Sequence, residues 1–217
     1  MRLQYCHIPD GNFGDDLNPW LWPRVAPELF DSDASVEFLG IGTILANTYR
    51  PGIKRIVFGS GAGYKRPPVV DANWQIYCVR GPRTAAMLNV DRSLAITDSA
   101  ALVAALPWDG CKKRFDVSYM PHHYSAALGD WRSVCDRAGL NYIDPSAPVE
   151  TTIECIRQSK LLITEALHGA VVADALRVPW IAVRAYGHIL PLKWHDWCES
   201  LGMAYRPTRL PSLWQTP

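Results

Sequence analysis

Residues 161–183, LLITEALHGAVVADALRVPWIAV, constrain what this chain can fold into more than any other stretch. Three aliphatic residues, Leu161-Leu162-Ile163, read as a buried strand, and Thr164 and Glu165 make a tight passage out of it. Small residues from about 166 to 176 suit a closely packed helix, Pro179 stops it, and residues 180–183 begin another strand. Strand, helix and strand at this spacing make a βαβ unit, and a βαβ unit requires a parallel sheet. One histidine, His168, followed by Gly169, stands where strand gives way to helix. Free backbone N–H groups and the positive end of the helix dipole meet there and favour an anion. An imidazole beside an anion pocket serves as an acid–base device, and such turns lie at the binding edge of α/β sheets. The plainer alternative is a capping or core histidine that fills the turn.

The rest of the chain repeats the alternation. Residues 3–7, 36–39, 55–58, 75–79 and 94–97 read as strands. Helices are expected near 19–25, through 45, up to 88 and, alanine-rich, up to 106. A composition break follows at 107–114, PWDGCKKR, which reads as a linker. Its Lys112-Lys113-Arg114 run suits a solvated face or contact with an anionic membrane surface. Strands at 117–120 and 141–143 then alternate with helices at 125–138 and 149–158. The expected fold is therefore α/β, with two Rossmann-like parallel-sheet halves, 1–108 and 109–217, facing across a cleft. The second half carries the His-Gly turn, and loops from the strand C-termini line the cleft.

Composition narrows the function classes. The chain has 217 residues, 48% hydrophobic and 20% charged, which describes an ordered globular protein. With 22 basic and 21 acidic residues the net charge is +1, so the footprint of a nucleic-acid binder is missing. No run approaches the ~18 apolar residues of a membrane span. The N-terminal MRLQYCHIPDGNFGDD turns polar too soon for a signal peptide, so a cytoplasmic protein is expected. Six cysteines are scattered without CxxC or zinc-ligand spacing, so reduced thiols and no metal are expected.

Chemistry-bearing residues collect in the loops after the strands. Gly11-Asn12-Phe13-Gly14-Asp15-Asp16 joins two glycines, which permit close backbone approach, to two carboxylates leading a helix. Either aspartate could be an N-cap instead of a ligand group. Gly59-Ser60-Gly61-Ala62-Gly63 could cradle a phosphate or a sugar. Arg80 and Arg83 flank a helix start, where guanidinium forks suit a small dianion or, more plainly, surface ion pairs. His122 and His123 follow a strand; adjacent histidines are not expected to share one face, so at most one should reach the cleft. Trp194, Trp197, Tyr205 and Trp214 lie near the end, where aromatic faces could stack on sugars; the helical spacing of Trp194 and Trp197 suits core packing, which is the favoured reading.

In order, GNFGDDLN, FLGIGT, FGSGAG, VRGPRT, TDSAALVA, MPHH and TEALHGAVVADALRVPWIAV span residues 11 to about 186. Together they resemble the polysaccharide pyruvyl transferase family, and most closely its exopolysaccharide ketal pyruvate transferases, which decorate succinoglycan or xanthan-type repeat units. The resemblance implies a fold like the two-Rossmann-domain glycosyltransferases. It implies phosphoenolpyruvate as donor substrate, no cofactor, and a saccharide acceptor bridged by a pyruvate ketal as phosphate leaves. Acceptors in this class are often lipid-linked, which implies peripheral attachment at the inner membrane face. His168 and Arg80 match family motif positions. Many members carry arginine two residues before the histidine, where this chain has Ala166; Arg80, Arg83 or Arg184 compensates, or activity is altered.

His168 and Asp15 are then the candidate catalytic pair. Candidate binding residues are Asn12, Gly14, Asp16 and Glu165, Gly169, Arg184 and His122. The same set includes Gly59, Ser60, Gly61, Arg80 and Arg83. The chain is shorter than many members, which suggests trimmed loops, a lost terminal helix or an incomplete copy. Two other classes fit the same pattern: a nucleotide-sugar glycosyltransferase, and a non-catalytic anion- or sugar-binding relic.

Overall fold

A computed structural model describes residues 1–31, 33–46 and 48–214. It contains two sheets, and every strand pair in them is parallel. The first holds β1 (Arg2–Gln4), β2 (Val36–Leu39), β3 (Lys54–Phe58) and β4 (Trp74–Cys78) in that spatial order. The second holds β5 (Phe115–Met120), β6 (Asn141–Tyr142), β7 (Ser159–Thr164), β8 (Trp180–Arg184) and β9 (Thr208–Arg209), ordered β6-β5-β7-β8-β9. Around them run α1 (Phe13–Val25), α2 (Pro82–Leu88), α3 (His123–Leu128), α4 (Trp131–Ala138), α5 (Val149–Arg157), α6 (Leu167–Ala175) and α7 (Pro191–Ser200). Each sheet has its own apolar core, with Leu39, Val57, Val79 and Leu88 in the first. Tyr119, Trp131, Val183 and Tyr186 serve in the second.

The two compact units do not follow a single cut in the chain. One comprises Met1–His7, Leu17–Ala100 and Pro191–Tyr205. The other comprises Ile8–Asp16, Ala101–Leu190 and the described residues from Arg206 on. The GNFGDD segment joins the second unit because the Phe13 N–H donates to the Pro145 carbonyl at 2.9 Å and the Ser146 hydroxyl donates to the Gly11 carbonyl at 3.2 Å. Gly11 has φ +82°, and a Cβ there would stand 2.9 Å from the Ser146 carbonyl oxygen, so glycine is required. Helix α7 joins the first unit through Asp196, which bonds Arg80 and Thr84. Such contacts between distant residues leave no local pattern.

Several elements differ from expectation for local reasons. The expected strand at 94–97 is a 3₁₀ turn, Arg92–Leu94, started by Asp91, whose side chain accepts from the Ser93 N–H; one bridge, Val79 to Ala95, survives. No helix runs through Leu45; a glycine-rich bend with Gly42 at φ +118° leads to a bridge between Leu45 and Ala62. The alanine stretch Ser99–Ala105 winds as 3₁₀ rather than α. The expected helix at 125–138 is broken at extended Gly129, after which Asp130 caps α4 by accepting from the Ser133 N–H at 3.0 Å. Helix α1 begins at Phe13, well before 19, and carries Pro19 and Pro23 inside it. Its buried Leu17, Leu21 and Trp22 offset the hydrogen bonds that proline removes.

The core assignment holds for Trp194, Trp197 and Tyr205, all buried, but Trp214 is 68% exposed. Residues 210–213 are fixed by backbone and hydroxyl bonds that leave this indole outside. Among the described residues, no helix is long and apolar enough to cross a membrane.

Candidate active site

The second sheet's order is that of a doubly wound fold in which the winding reverses between its first and third strands, here β5 and β7. Ligands bind outside the strand C-termini at such a reversal. The first sheet, ordered as in sequence, has none. Met120 and Thr164 are register partners at the ends of β5 and β7. The next residues outward are Pro121-His122-His123 on one side and Glu165-Ala166-Leu167-His168 on the other. This is the candidate site, and it lies within the second unit.

The turn that presents His168 is fixed from both sides. The Thr164 hydroxyl donates to the Met120 carbonyl and accepts from the Ala166 N–H, each at 2.9 Å. Gly169 packs on β5, where a Cβ would stand 2.8 Å from the Met120 sulfur. Backbone bonding in α6 begins with Ala170 N–H to the Ala166 carbonyl. The N–H groups of Leu167, His168 and Gly169 precede it and have no helical carbonyl to take them. His168 is half-buried, with Nε2 shielded from solvent. Its ring lies on Gly14: a Cβ on Gly14 would fall 2.0 Å from His168 Nδ1. Residues 14 and 168 thus meet although the sequence separates them widely.

Around Gly14 the first turn of α1 is tied to itself. The Asn12 carbonyl accepts from the Asp15 and Asp16 N–H groups, at 3.0 and 2.9 Å. Asp16 Oδ2 accepts from the Asn12 N–H at 2.9 Å, and Asn12 Nδ2 donates to Asp15 Oδ2 at 2.6 Å. Neither aspartate is therefore the N-cap. Because α1 starts early, both lie inside its first turn, where the dipole favours their charge. Half-buried Asp15 is held by Asn12 in the same unit as His168.

Glu165 is fully buried. Its Oε1 accepts from the Ala185 N–H at 2.6 Å and its own N–H donates to the Met120 carbonyl at 3.1 Å, joining the ends of β5, β7 and β8. Oε2 makes no hydrogen bond among the described residues, and neither does the buried hydroxyl of Tyr119. Burial first, and then the charge of Glu165, push the Tyr119 phenol far above its usual range. Arg184 ends β8, its Nε and Nη2 donating to the carbonyls of Tyr186 and Gly187 at 3.1 and 3.3 Å. The expectation that His122 and His123 diverge fails: their rings lie 4.4 Å apart, inclined by 34°. His122 is extended at φ −67°, ψ 149° while His123 opens α3, and the change of backbone direction brings the rings together.

The remaining sequence candidates lie in the first unit and are engaged there. Gly59, at φ +85°, leaves room for Ser99, where a Cβ would stand 1.9 Å from its hydroxyl oxygen. Gly61 leaves room for the Arg80 guanidinium, whose carbon is 2.1 Å from such a Cβ. The Ser60 hydroxyl lies 2.8 and 2.7 Å from the Leu39 and Gly40 carbonyl oxygens. Arg80 is fully buried and donates to Asp196 Oδ2 at 3.1 Å, the Thr43 hydroxyl at 2.7 Å and the Ala62 carbonyl at 3.4 Å. Arg83 grips Glu199 with two nitrogens, Nη2 at 2.6 Å, which holds that carboxyl below its ordinary range. Both arginines thus have their charge answered within the unit. Asp196 carried no sequence signal; Thr84 and Asn18 end the VRGPRT and GNFGDDLN motifs but were not singled out, and Asn18 clamps the Ile41 backbone through its side-chain amide.

Residues 28–186 match the family described as Polysaccharide pyruvyl transferase. The chain is also similar to the Succinoglycan biosynthesis protein ExoV of Rhizobium meliloti (strain 1021). The two are 43% identical over 215 residues, covering 97% of this chain and 68% of that protein.

Proposed function

We propose, for a chain that belongs to the polysaccharide pyruvyl transferase family, that phosphoenolpyruvate is the donor and a pyruvate ketal on an exopolysaccharide sugar the product. The observation that carries this reading is the His168 ring seated on Gly14 at the reversal of the second sheet. Phosphoenolpyruvate enters as a substrate, and its carboxylate and phosphate need cationic or N–H partners. The N–H groups at the start of α6 and the guanidinium of Arg184 supply them in the same unit. Arg184 thus takes the role of the family arginine replaced by Ala166. Arg80 holds the Gly59–Gly63 loop in shape instead.

His168 donates its proton to the methylene carbon, which becomes the methyl group, and the central carbon gains cationic character. One acceptor hydroxyl adds to that carbon as Asp15 takes the hydroxyl proton. The carbon–oxygen bond to phosphate then breaks as the Asp15 proton passes to the departing phosphate, a second hydroxyl closes the ketal, and its proton returns to His168. One phosphate leaves per ketal formed. An acceptor still attached to a lipid carrier brings the protein to the inner membrane face peripherally.

His168→Ala tests the assignment. General acid–base catalysis contributes roughly 10²–10⁴-fold, so phosphate release should slow by that factor while the melting temperature holds. Full turnover by this variant defeats the reading.

A further inference from the structure

Tyr186, itself buried, organises an aromatic surface on the second unit. His188 stacks on it at 5.4 Å and 18°, and Trp214 meets it edge-on at 5.4 Å and 86°. Tyr124 meets His188 edge-on at 5.9 Å, and the Ser125 hydroxyl lies 3.2 Å from His188 Nε2. The three outer rings are open to solvent: Tyr124 is 59% and Trp214 68% exposed, and His188 is exposed as well.

This exposure is built rather than left over from a loose tail. The Leu213 N–H donates to the Tyr186 hydroxyl at 3.1 Å and the Ser212 hydroxyl donates to the Ala185 carbonyl at 2.6 Å. Gly129 makes room for Leu213, whose Cβ is 2.5 Å from where a Cβ on Gly129 would be. Three distant segments therefore converge to hold three rings outward. Two of them follow β5 and β8, the neighbours of β7, whose end leads to His168.

A pyranose ring has an apolar C–H face and a rim of hydroxyls. Aromatic faces take the first, while an imidazole and a tyrosine hydroxyl bond the second. Among the described residues no group of three or more His, Cys, Asp or Glu is placed to hold a metal ion. We propose that Tyr124, His188 and Trp214 form the platform that binds the acceptor saccharide. This rests on the transferase reading above and extends it from the donor to the acceptor.

The test uses oligosaccharides cut from succinoglycan and chemically stripped of pyruvate. Saturation-transfer NMR without phosphoenolpyruvate compares the whole chain with Tyr124→Ala and Trp214→Ala variants. Each loss of stacking should weaken saccharide binding roughly three- to tenfold. The acceptor KM should rise equally, with the phosphoenolpyruvate KM and the melting temperature unchanged. Tyr124→Phe should retain most of the binding. A double variant that binds the saccharide like wild type overturns the platform. So does an equal rise in the phosphoenolpyruvate KM, or binding of the rings to anionic vesicles but not to saccharide. If wild type releases no phosphate from phosphoenolpyruvate, the donor reading fails, and the binding comparison still decides the platform.

Discussion

Replacing Gly14 with alanine adds one methyl group against the His168 ring. The new Cβ would lie 2.0 Å from His168 Nδ1 and 3.0 Å from Cε1, where ordinary contact begins at 3.4 Å. The imidazole must therefore shift by about 1.4 Å or leave its rotamer, which costs about 0.5–1.5 kcal/mol. Alanine inside a helix offsets this by roughly 0.5–1 kcal/mol relative to glycine. The two terms nearly cancel, so the melting temperature should move by no more than about 4 °C. Catalysis has no such compensation, because a reacting group misplaced by 1 Å can lose about 10²-fold. Steady-state phosphate release from phosphoenolpyruvate with excess acceptor, beside a thermal melt, makes the comparison. Adding His168→Ala to Gly14→Ala should cost little beyond His168→Ala alone, since both act through one ring. Wild-type turnover in Gly14→Ala refutes the claim that this contact positions the imidazole.

Two further outcomes concern the first unit. Asp196→Ala leaves Arg80 buried without its carboxylate, a loss of about 3–5 kcal/mol. The melting temperature should fall by about 6–20 °C, and replacing both residues with apolar side chains should recover most of it; a fall under about 3 °C would contradict the assignment. Burial pushes the thiols of Cys78 and Cys135 up to about 11, so at pH 8 both are neutral. A thiol-reactive dye at that pH should label exposed Cys6 quickly and these two only in denaturant, with their labelling in the native state rising as pH approaches 11.

The His-Gly turn was legible because its determinants are local. An aliphatic run, a threonine that bonds its own turn, small residues and a proline all lie within about twenty positions, and β7, α6 and β8 follow them. The strand at 94–97 failed for a local reason too, since Asp91 turns the chain before an apolar run can extend. What could not be read was contact over distance. Nothing in GNFGDD says that Gly14 is the seat of a histidine 154 positions later, or that the segment packs on Pro145 and Ser146. Nor does anything in VRGPRT say that Arg80 is paired with Asp196, 116 residues on. Trp214 looked like core because composition cannot tell which tail aromatics a later hydrogen bond turns outward.

Whether pyruvyl transfer runs through His168 is decided by product analysis by NMR with [3-¹³C]phosphoenolpyruvate and pyruvate-free succinoglycan oligosaccharide in D₂O. One phosphate per ketal is expected, with the label in a saccharide-bound methyl group and one deuterium in that methyl from the exchanged acid at His168. The rate should collapse in His168→Ala. Phosphoenolpyruvate left intact while a nucleotide sugar is consumed, or a labelled ketal formed equally fast without His168, contradicts transfer through His168.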